Sequence, residues 1–241
     1  MIALLCSVSI EAGDILAAMK QMGTLDLGSK TIHHGSIAGH EVALCAGGMG
    51  KANAAHAAAL LLTKFEPRVL IVFGIGGAYA SSGARIGDLA LASEEIAGDE
   101  GVLTPEGFKG TQYIGIPLVQ TAQALVHNHF PATSTLLQRV HRGLSASRPS
   151  ENVHTGKFVT LSTCTGTNER ARELESRYGA LCENMEGAAA AQVAVLHNVP
   201  WLEVRSISNI VEERDLKQWD IPRAAQEVQQ AILTIVESWE P

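Results

Sequence analysis

The sequence predicts an α/β fold: a single domain over residues 1–241, built as a three-layer sandwich around a central mixed, mostly parallel sheet. Three observations predict it. Short apolar runs alternate with segments of helical spacing, the pattern that lays helices on the faces of a sheet. One run, Val69-Leu70-Ile71-Val72-Phe73, lacks polar alternation, as expected of a central strand covered on both sides. The chain is 241 residues long, 46% hydrophobic and 18% charged, which supplies one substantial core and argues against a disordered chain.

The elements follow in order. Ile2 to Val8 reads as the first strand, and Glu11 to Met19 as a helix after it. Thr31 to Ile37 and Glu41 to Ala46 form a hairpin across the tight Ala38-Gly39 turn. Ala52 to Phe65, rich in alanine and leucine, is a helix. Arg68 to Phe73 is the central strand and Asp88 to Ala97 the next one. Gly98 to Gly115 reads as a loop, with Gly101, Pro105, Gly107 and Gly110 among polar residues. Pro117 to Val126 has apolar residues at helical spacing, with proline in the first turn. Ser145 to Asn152 is a polar connection, Lys157 to Leu161 a strand, and Asn168 to Tyr178 an amphipathic helix. Met185 to Leu196, with its run of four alanines, is a helix able to pack closely. Trp201 to Ser206 is the last strand and Pro222 to Trp239 the last helix.

Composition excludes several functions. The 18 basic residues are outnumbered by 25 acidic ones, a net charge of -7, so a nucleic-acid partner is not expected. No stretch is long and apolar enough to span a bilayer. Met1 to Cys6 lacks a basic leader, and Glu11 and Asp14 come early, unlike a secretory signal. Four cysteines do not make a disulfide scaffold in a chain this long; Cys6, Cys45 and Cys182 read as reduced core thiols. These features point to a cytoplasmic protein. His33-His34 lies in a strand, and His127 and His129 lie in or at the end of a surface helix. None has an acid or cysteine at a recognised ligand spacing, so no metal is expected. No G-x-S-x-G elbow is present.

Two glycine turns follow strands. Ala46-Gly47-Gly48-Met49-Gly50-Lys51 fails as a Walker loop, because Cys45 replaces the first glycine and Ala52 the magnesium-binding hydroxyl. It reads either as a close strand-to-helix turn or as a ligand cradle. Phe73-Gly74-Ile75-Gly76-Gly77-Ala78-Tyr79 fails the dinucleotide fingerprint, with Tyr79 where the third glycine belongs, so no nicotinamide cofactor is expected. Gly76 remains a place for close backbone approach to a ligand. Gly83 to Gly87 adds Arg85 as a candidate cation.

Glu11 follows the first strand, Glu186 opens the alanine-rich helix, and Asn209 comes at the end of the strand that contains Val204 and Ile207. The carboxyl ends of sheet strands form the usual ligand crevice, so these three can converge. A carboxylate in apolar surroundings needs a reason, because burying it is costly. For Glu11 the competing reading is a charge at a helix N-terminus.

The sequence resembles the purine nucleoside phosphorylase and methylthioadenosine nucleosidase superfamily. The likeness lies in Glu11, in Gly47 to Ala54, in Phe73 to Ala78 with Gly87-Asp88-Leu89, and in Asn184-Met185-Glu186-Gly187-Ala188-Ala189 with Val204 to Asn209. Within it the chain most resembles the futalosine hydrolase family, through Ser162 to Thr167, Cys182 to Gly187, and Ser208 to Glu212 with Arg214-Asp215.

The resemblance implies a nucleoside phosphorylase-like fold and cleavage of a purine ribosidic bond. The small-molecule nucleoside would be futalosine, water the nucleophile, and hypoxanthine and dehypoxanthine futalosine the products. Glu11 would activate the water and Glu186 would accept hydrogen bonds from the ribose hydroxyls. Met185 would pack against the sugar, and Phe158 would lie near the base. Asn209 stands where methylthioadenosine nucleosidases carry aspartate; its amide suits a 6-oxopurine better than adenine. Asn184 stands where those enzymes carry glutamate. The alternatives are a methylthioadenosine/S-adenosylhomocysteine or aminofutalosine nucleosidase, and a non-catalytic nucleoside-binding protein. Family members are homo-oligomers, dimers or larger, and none of these functions calls for a cofactor.

Overall fold

The computed structural model describes residues 1–149 and 152–239. In chain order the elements are β1 (Ile2–Cys6), α1 (Gly13–Ala18), β2 (Lys20–Leu27), β3 (Lys30–Ile37), β4 (His40–Ala46), α2 (Lys51–Phe65), β5 (Val69–Ala78) and β6 (Leu89–Ala97). Then come β7 (Gly101–Thr104), β8 (Gly107–Gly110), α3 (Thr111–Ile114), β9 (Val119–Gln120), β10 (Leu125–Val126), β11 (His129–Pro131) and α4 (Ser134–Ser147). The remainder is β12 (Val153–Thr160), α5 (Asn168–Tyr178), β13 (Cys182–Asn184), α6 (Gly187–Leu196), β14 (Trp201–Ile210) and α7 (Ile221–Glu237).

A ten-stranded sheet forms the middle layer. β1 lies between β4 and β5, parallel to both, and β14 runs parallel to β5. β2, β3 and β4 form an antiparallel extension. The β3–β4 hairpin turns on Ala38 and Gly39 at φ 49° and 86°, the two positive values that a tight two-residue turn requires. On the other side the strands close on themselves. β5 pairs β14, β14 pairs β6, β6 pairs β12, β12 pairs β13, and β13 returns to β5.

Helices cover both faces. α2 and α6 bury Ala57, Ala58, Leu61, Ala190, Ala191 and Ala194 against Leu70, Val72, Ala90, Ala92 and Phe158. The small side chains of α6 let its backbone come close to the strands. On the opposite face α4 and α7 pack Leu136, Val140, Val228 and Ile232 against Ile71, Phe73, Leu89 and Val204. Among the described residues no helix is long and apolar enough to cross a membrane.

Several expectations fail. Pro117 to Val126 is the two-stranded β9–β10 ribbon, with Val126 opposite Val119; the helical spacing was accidental, and Thr121 caps the turn by accepting from the Gln123 and Ala124 amides. Gly98 to Gly115 contains the β7–β8 hairpin and α3, and its glycines punctuate a ribbon. His127 precedes β11 and His129 opens it; neither is helical. The Ser145–Asn152 connection begins inside α4, and residues 150 and 151 lie outside the described residues, as do 240 and 241.

Candidate active site

The carboxyl ends of β1, β5 and β14 and the chain beyond β12 meet at a cavity of about 200 Å³. Glu11, Gly76, Asn184, Met185, Glu186 and Asn209 all line it, although they come from four separate parts of the chain. Phe158 does not. It is fully buried in the core beneath α6, on the same face of β12 as Thr160 but further from the strand's end. The chain reaches the cavity only later, at Thr163, Cys164 and Thr165. A larger open cleft of about 740 Å³ runs along α4 past Gln138, His141 and Arg142, remote from these residues.

Glu11 ends a short 3-10 turn after β1 and is 2% exposed. Its Oε2 accepts from the backbone N–H groups of Ser7 at 2.9 Å and Val8 at 3.1 Å, and its Oε1 from that of Ile75 at 2.9 Å. Gly74 permits this approach: a Cβ there would stand 2.6 Å from Glu11 Oε1 and 3.0 Å from Arg205 Nη1.

Glu186 sits at the N-terminus of α6. Its Oε1 accepts from the Gly50 N–H at 2.9 Å, and its Oε2 faces Arg205 Nη2 at 3.3 Å. The Gly47–Lys51 turn therefore cradles a carboxylate of the protein itself. Gly48 and Gly50, at φ 100° and 92°, give it the required left-handed backbone. Lys51 points elsewhere, paired with Asp99 and, at 3.1 Å, with Glu100. Arg85 is exposed and does not line the cavity.

Arg205 is the cation lining the site; in the sequence it stood within the Val204 to Asn209 motif of the resemblance, with no role assigned. Its Nε donates to Glu203 Oε1 at 2.7 Å and its Nη1 to the Ile75 carbonyl at 3.0 Å. Burial alone would lower the guanidinium pKa, but the Glu203, Glu186 and Glu11 carboxylates outweigh it and hold the pKa above its usual value. Arg205 stays charged.

Asn209 reaches the cavity through an irregularity. Ile207 pairs with Gly76 and Asn209 with Gly77, so Ser208 is an extra residue in β14. The bulge brings both Ser208 and Asn209 onto the cavity wall. Asn209 Nδ2 donates to the Ile210 carbonyl at 3.0 Å, and Oδ1 accepts from the Ser208 hydroxyl at 2.8 Å.

Asn184 borders the cavity, but its amide is engaged in structure: Oδ1 accepts from the Glu186 and Gly187 N–H groups at 2.9 and 2.7 Å, and Nδ2 donates to Glu95 at 2.5 Å. Met185 lies on the wall with its sulfur 3.5 Å from the Cys164 thiol. Glu183, also missed, accepts from the Thr165 amide and hydroxyl and from the Tyr79 phenol at 2.7 to 3.0 Å. This acid ties the Thr163–Thr165 segment to the sheet. Burial and the Glu183 charge push the Tyr79 phenol up, which keeps it a donor. Trp219, beneath the Arg214 guanidinium, covers another side of the cavity. Cys6, Cys45 and Cys182 are free and buried, and burial raises each thiol.

Residues 1–237 match the family model described as the phosphorylase superfamily. The chain belongs to that superfamily. Relatives within it include the futalosine hydrolase of Streptomyces coelicolor, 35% identical over 207 residues that cover 82% of this chain and 81% of that protein. The 5'-methylthioadenosine/S-adenosylhomocysteine nucleosidase of Maridesulfovibrio salexigens is 33% identical over 79% of this chain and 77% of its own. Among solved phosphorylase-superfamily structures, the 5'-methylthioadenosine/S-adenosylhomocysteine nucleosidase of S. pneumoniae with a transition-state inhibitor superposes with a TM-score of 0.84 at 26% identity, over 99% of both chains. The futalosine hydrolase of Helicobacter pylori shares the fold, with a TM-score of 0.83 at 19% identity over 99% of this chain and 97% of that one.

Proposed function

We propose that the cavity hydrolyses the N-ribosidic bond of futalosine, releasing hypoxanthine and dehypoxanthine futalosine. The protein is a nucleosidase of the phosphorylase superfamily that acts on purine ribosyl nucleosides. The observation that carries the finer reading is the pairing of two acids, Glu11 and Glu186, with an amide at 209 on one cavity wall.

Bond cleavage puts positive charge on the ribose and electron density on the purine. Glu11 takes a proton from water as the water oxygen bonds to C1′. The C1′–N9 bond breaks, its electron pair goes to the base, and N7 is protonated from solvent. Three backbone donors hold the Glu11 carboxylate in place, leaving one lone pair, on Oε1, to take the proton from water without side-chain reorganisation. Glu186 accepts from the ribose hydroxyls and lies beside the developing positive charge. Met185 packs on the sugar with a flexible apolar surface.

Water is favoured over phosphate because the cavity cation is already engaged. Arg205 is held by Glu203, Glu186 and the Ile75 carbonyl, and a phosphate dianion would face the Glu11 and Glu186 carboxylates. Asn209 favours a 6-oxopurine: its free N–H matches O6, and its remaining lone pair matches a protonated N7. Glu11 argues against a purely binding role, since a binder needs no water-activating base.

The second reading is a methylthioadenosine/S-adenosylhomocysteine or aminofutalosine nucleosidase, supported by the 33% identical relative of that first activity. The proposed setting is the cytoplasm, and the proposed assembly a homo-oligomer, for which exposed apolar Val8 and Met49 beside the cavity offer contact surface. Product analysis with futalosine, aminofutalosine, methylthioadenosine and inosine tests the assignment. Hypoxanthine release from futalosine as the fastest reaction supports it, and faster adenine release from methylthioadenosine overturns it.

A further inference from the structure

Behind the cavity, outside its lining, lie two acids that the chemistry above does not use. Glu95 on β6 and Glu203 on β14 are both 0% exposed. They meet across the Cα of Gly187, where any Cβ would overlap both Glu203 Oε2 and Glu95 Oε1. Each acid anchors one arm of the support for Glu186. Glu95 accepts from Asn184 Nδ2 at 2.5 Å and from the Thr160 hydroxyl at 2.7 Å. Asn184 in turn accepts from the Glu186 and Gly187 N–H groups, and Thr160 from that of Ala188 at 2.8 Å. Those are the opening N–H groups of α6, which a helix cannot satisfy internally. Glu203 holds Arg205, which reaches Glu186 Oε2.

The ring of contacts has one gap. Glu203 Oε2 is buried and finds no donor among the described residues. Two charged carboxylates this close and fully buried repel strongly. The geometry points to a single proton shared between Glu95 and Glu203, Glu95 Oε1–H donating to Glu203 Oε2, that closes the ring and positions Glu186 for the ribose. Burial and the Glu203 charge push Glu95 well above the ordinary carboxylate range, which is the direction a retained proton requires. The other polar or titratable groups facing the pair are Arg205, Glu186 beyond it, the Cys182 thiol, Thr160 and Asn184. Glu95 and Glu203 are thus positioning residues; the role of Glu186 itself rests on the nucleosidase reading.

The proton has a sign that can be read. At pH values above the ordinary carboxylate pKa of about 4.3, both acids are ionised in the unfolded chain, so folding takes up one proton. The folding equilibrium constant then falls with rising pH until the native pair itself ionises. Glu203→Gln places an amide N–H against Glu95 and keeps an oxygen for Arg205, so it closes the ring with no proton to lose. The test is urea unfolding of wild type and Glu203→Gln between about pH 5.5 and 7.5, with infrared spectra of both at neutral pH. The ratio of their folding constants should fall about tenfold per pH unit. Wild type should also show a protonated-carboxyl C=O band that Glu203→Gln lacks. A pH-independent ratio, or no such band in wild type, overturns the shared proton.

The positioning role is read separately. Glu203→Ala removes both the acceptor for Arg205 and the partner of Glu95, and should lose at least about tenfold more kcat/KM than Glu203→Gln. Equal losses overturn it. If Glu203→Ala does not fold, a Gln variant with the wild-type pH profile of kcat/KM overturns the role and a profile shifted on its alkaline side supports it. If the protein turns over none of the nucleosides, the unfolding and infrared results still decide the shared proton, and the failure belongs to the nucleosidase reading.

Discussion

Replacing Asn209 by aspartate changes the group proposed to read the base while keeping its size. The Ile210 carbonyl can only accept, so the Asn209 nitrogen must face it, and the Ser208 hydroxyl donates to Oδ1. One N–H and one lone pair remain for a ligand. Hypoxanthine offers O6 to the first and, once protonated, N7–H to the second. The 6-amino group of adenine would set donor against donor at a residue only 8% exposed. Leaving that donor unpaired costs about 1–3 kcal/mol, a preference of about 5- to 150-fold in kcat/KM. In Asn209→Asp an oxygen would face the Ile210 carbonyl oxygen, an arrangement that favours the protonated acid. Such an acid accepts from an adenine amino group through its remaining lone pairs, and its one proton leaves the Ile210 carbonyl as it passes to N7. The assay compares kcat/KM for futalosine and aminofutalosine in both proteins. Wild type should prefer futalosine, and the aspartate variant should narrow or reverse the ratio. An unchanged ratio would refute this account of base selection and direct attention to Thr165 and Glu183 on the same wall.

Other substitutions separate chemistry from scaffolding. Glu11→Gln should slow cleavage about 10²- to 10⁴-fold with little change in nucleoside affinity, measured by single-turnover kinetics. It should also lower stability by about 1–3 kcal/mol in urea unfolding, because the new amide must face one of the three backbone donors. Glu186→Gln should raise KM and lower kcat together if Glu186 holds the ribose as proposed, since those contacts would exist before and during reaction; steady-state kinetics on the hydrolysed nucleoside checks this. Gly187→Ala should destabilise by at least about 1–3 kcal/mol in the same unfolding assay, because its methyl group overlaps the Glu95 and Glu203 carboxyl groups.

Much of the fold was legible because its strands carry dense apolar runs and its helices clear spacing or caps. Asp220, for example, caps α7 by accepting from the Arg223 N–H, and Pro222, two residues after it, stands in the first turn. β2 was invisible because most of its side chains alternate between exposed and half-buried, leaving no apolar face to detect. β13 has three residues and no periodicity to measure. α4 did leave a signal: Leu136, Val140 and Leu144 recur every fourth residue and are buried. In the site, Glu11, Glu186 and Asn209 could be found because strand ends are where ligands bind. Their supports were hidden, since a closed ring of strands brings Glu95, Asn184 and Glu203 together from distant segments. Glu203 and Arg205, two residues apart and flanked by apolar Leu202, Val204 and Ile207, were the available clue to a buried ion pair. Phe158 entered through the resemblance, and the strand carries its side chain into the core before the chain reaches the cavity at Thr163.

The most direct test of the central claim is product identity from futalosine with and without inorganic phosphate. The account predicts hypoxanthine and the free sugar product, dehypoxanthine futalosine, at the same rate in both conditions. A sugar 1-phosphate formed only when phosphate is present would contradict it, as would the absence of hypoxanthine in either condition.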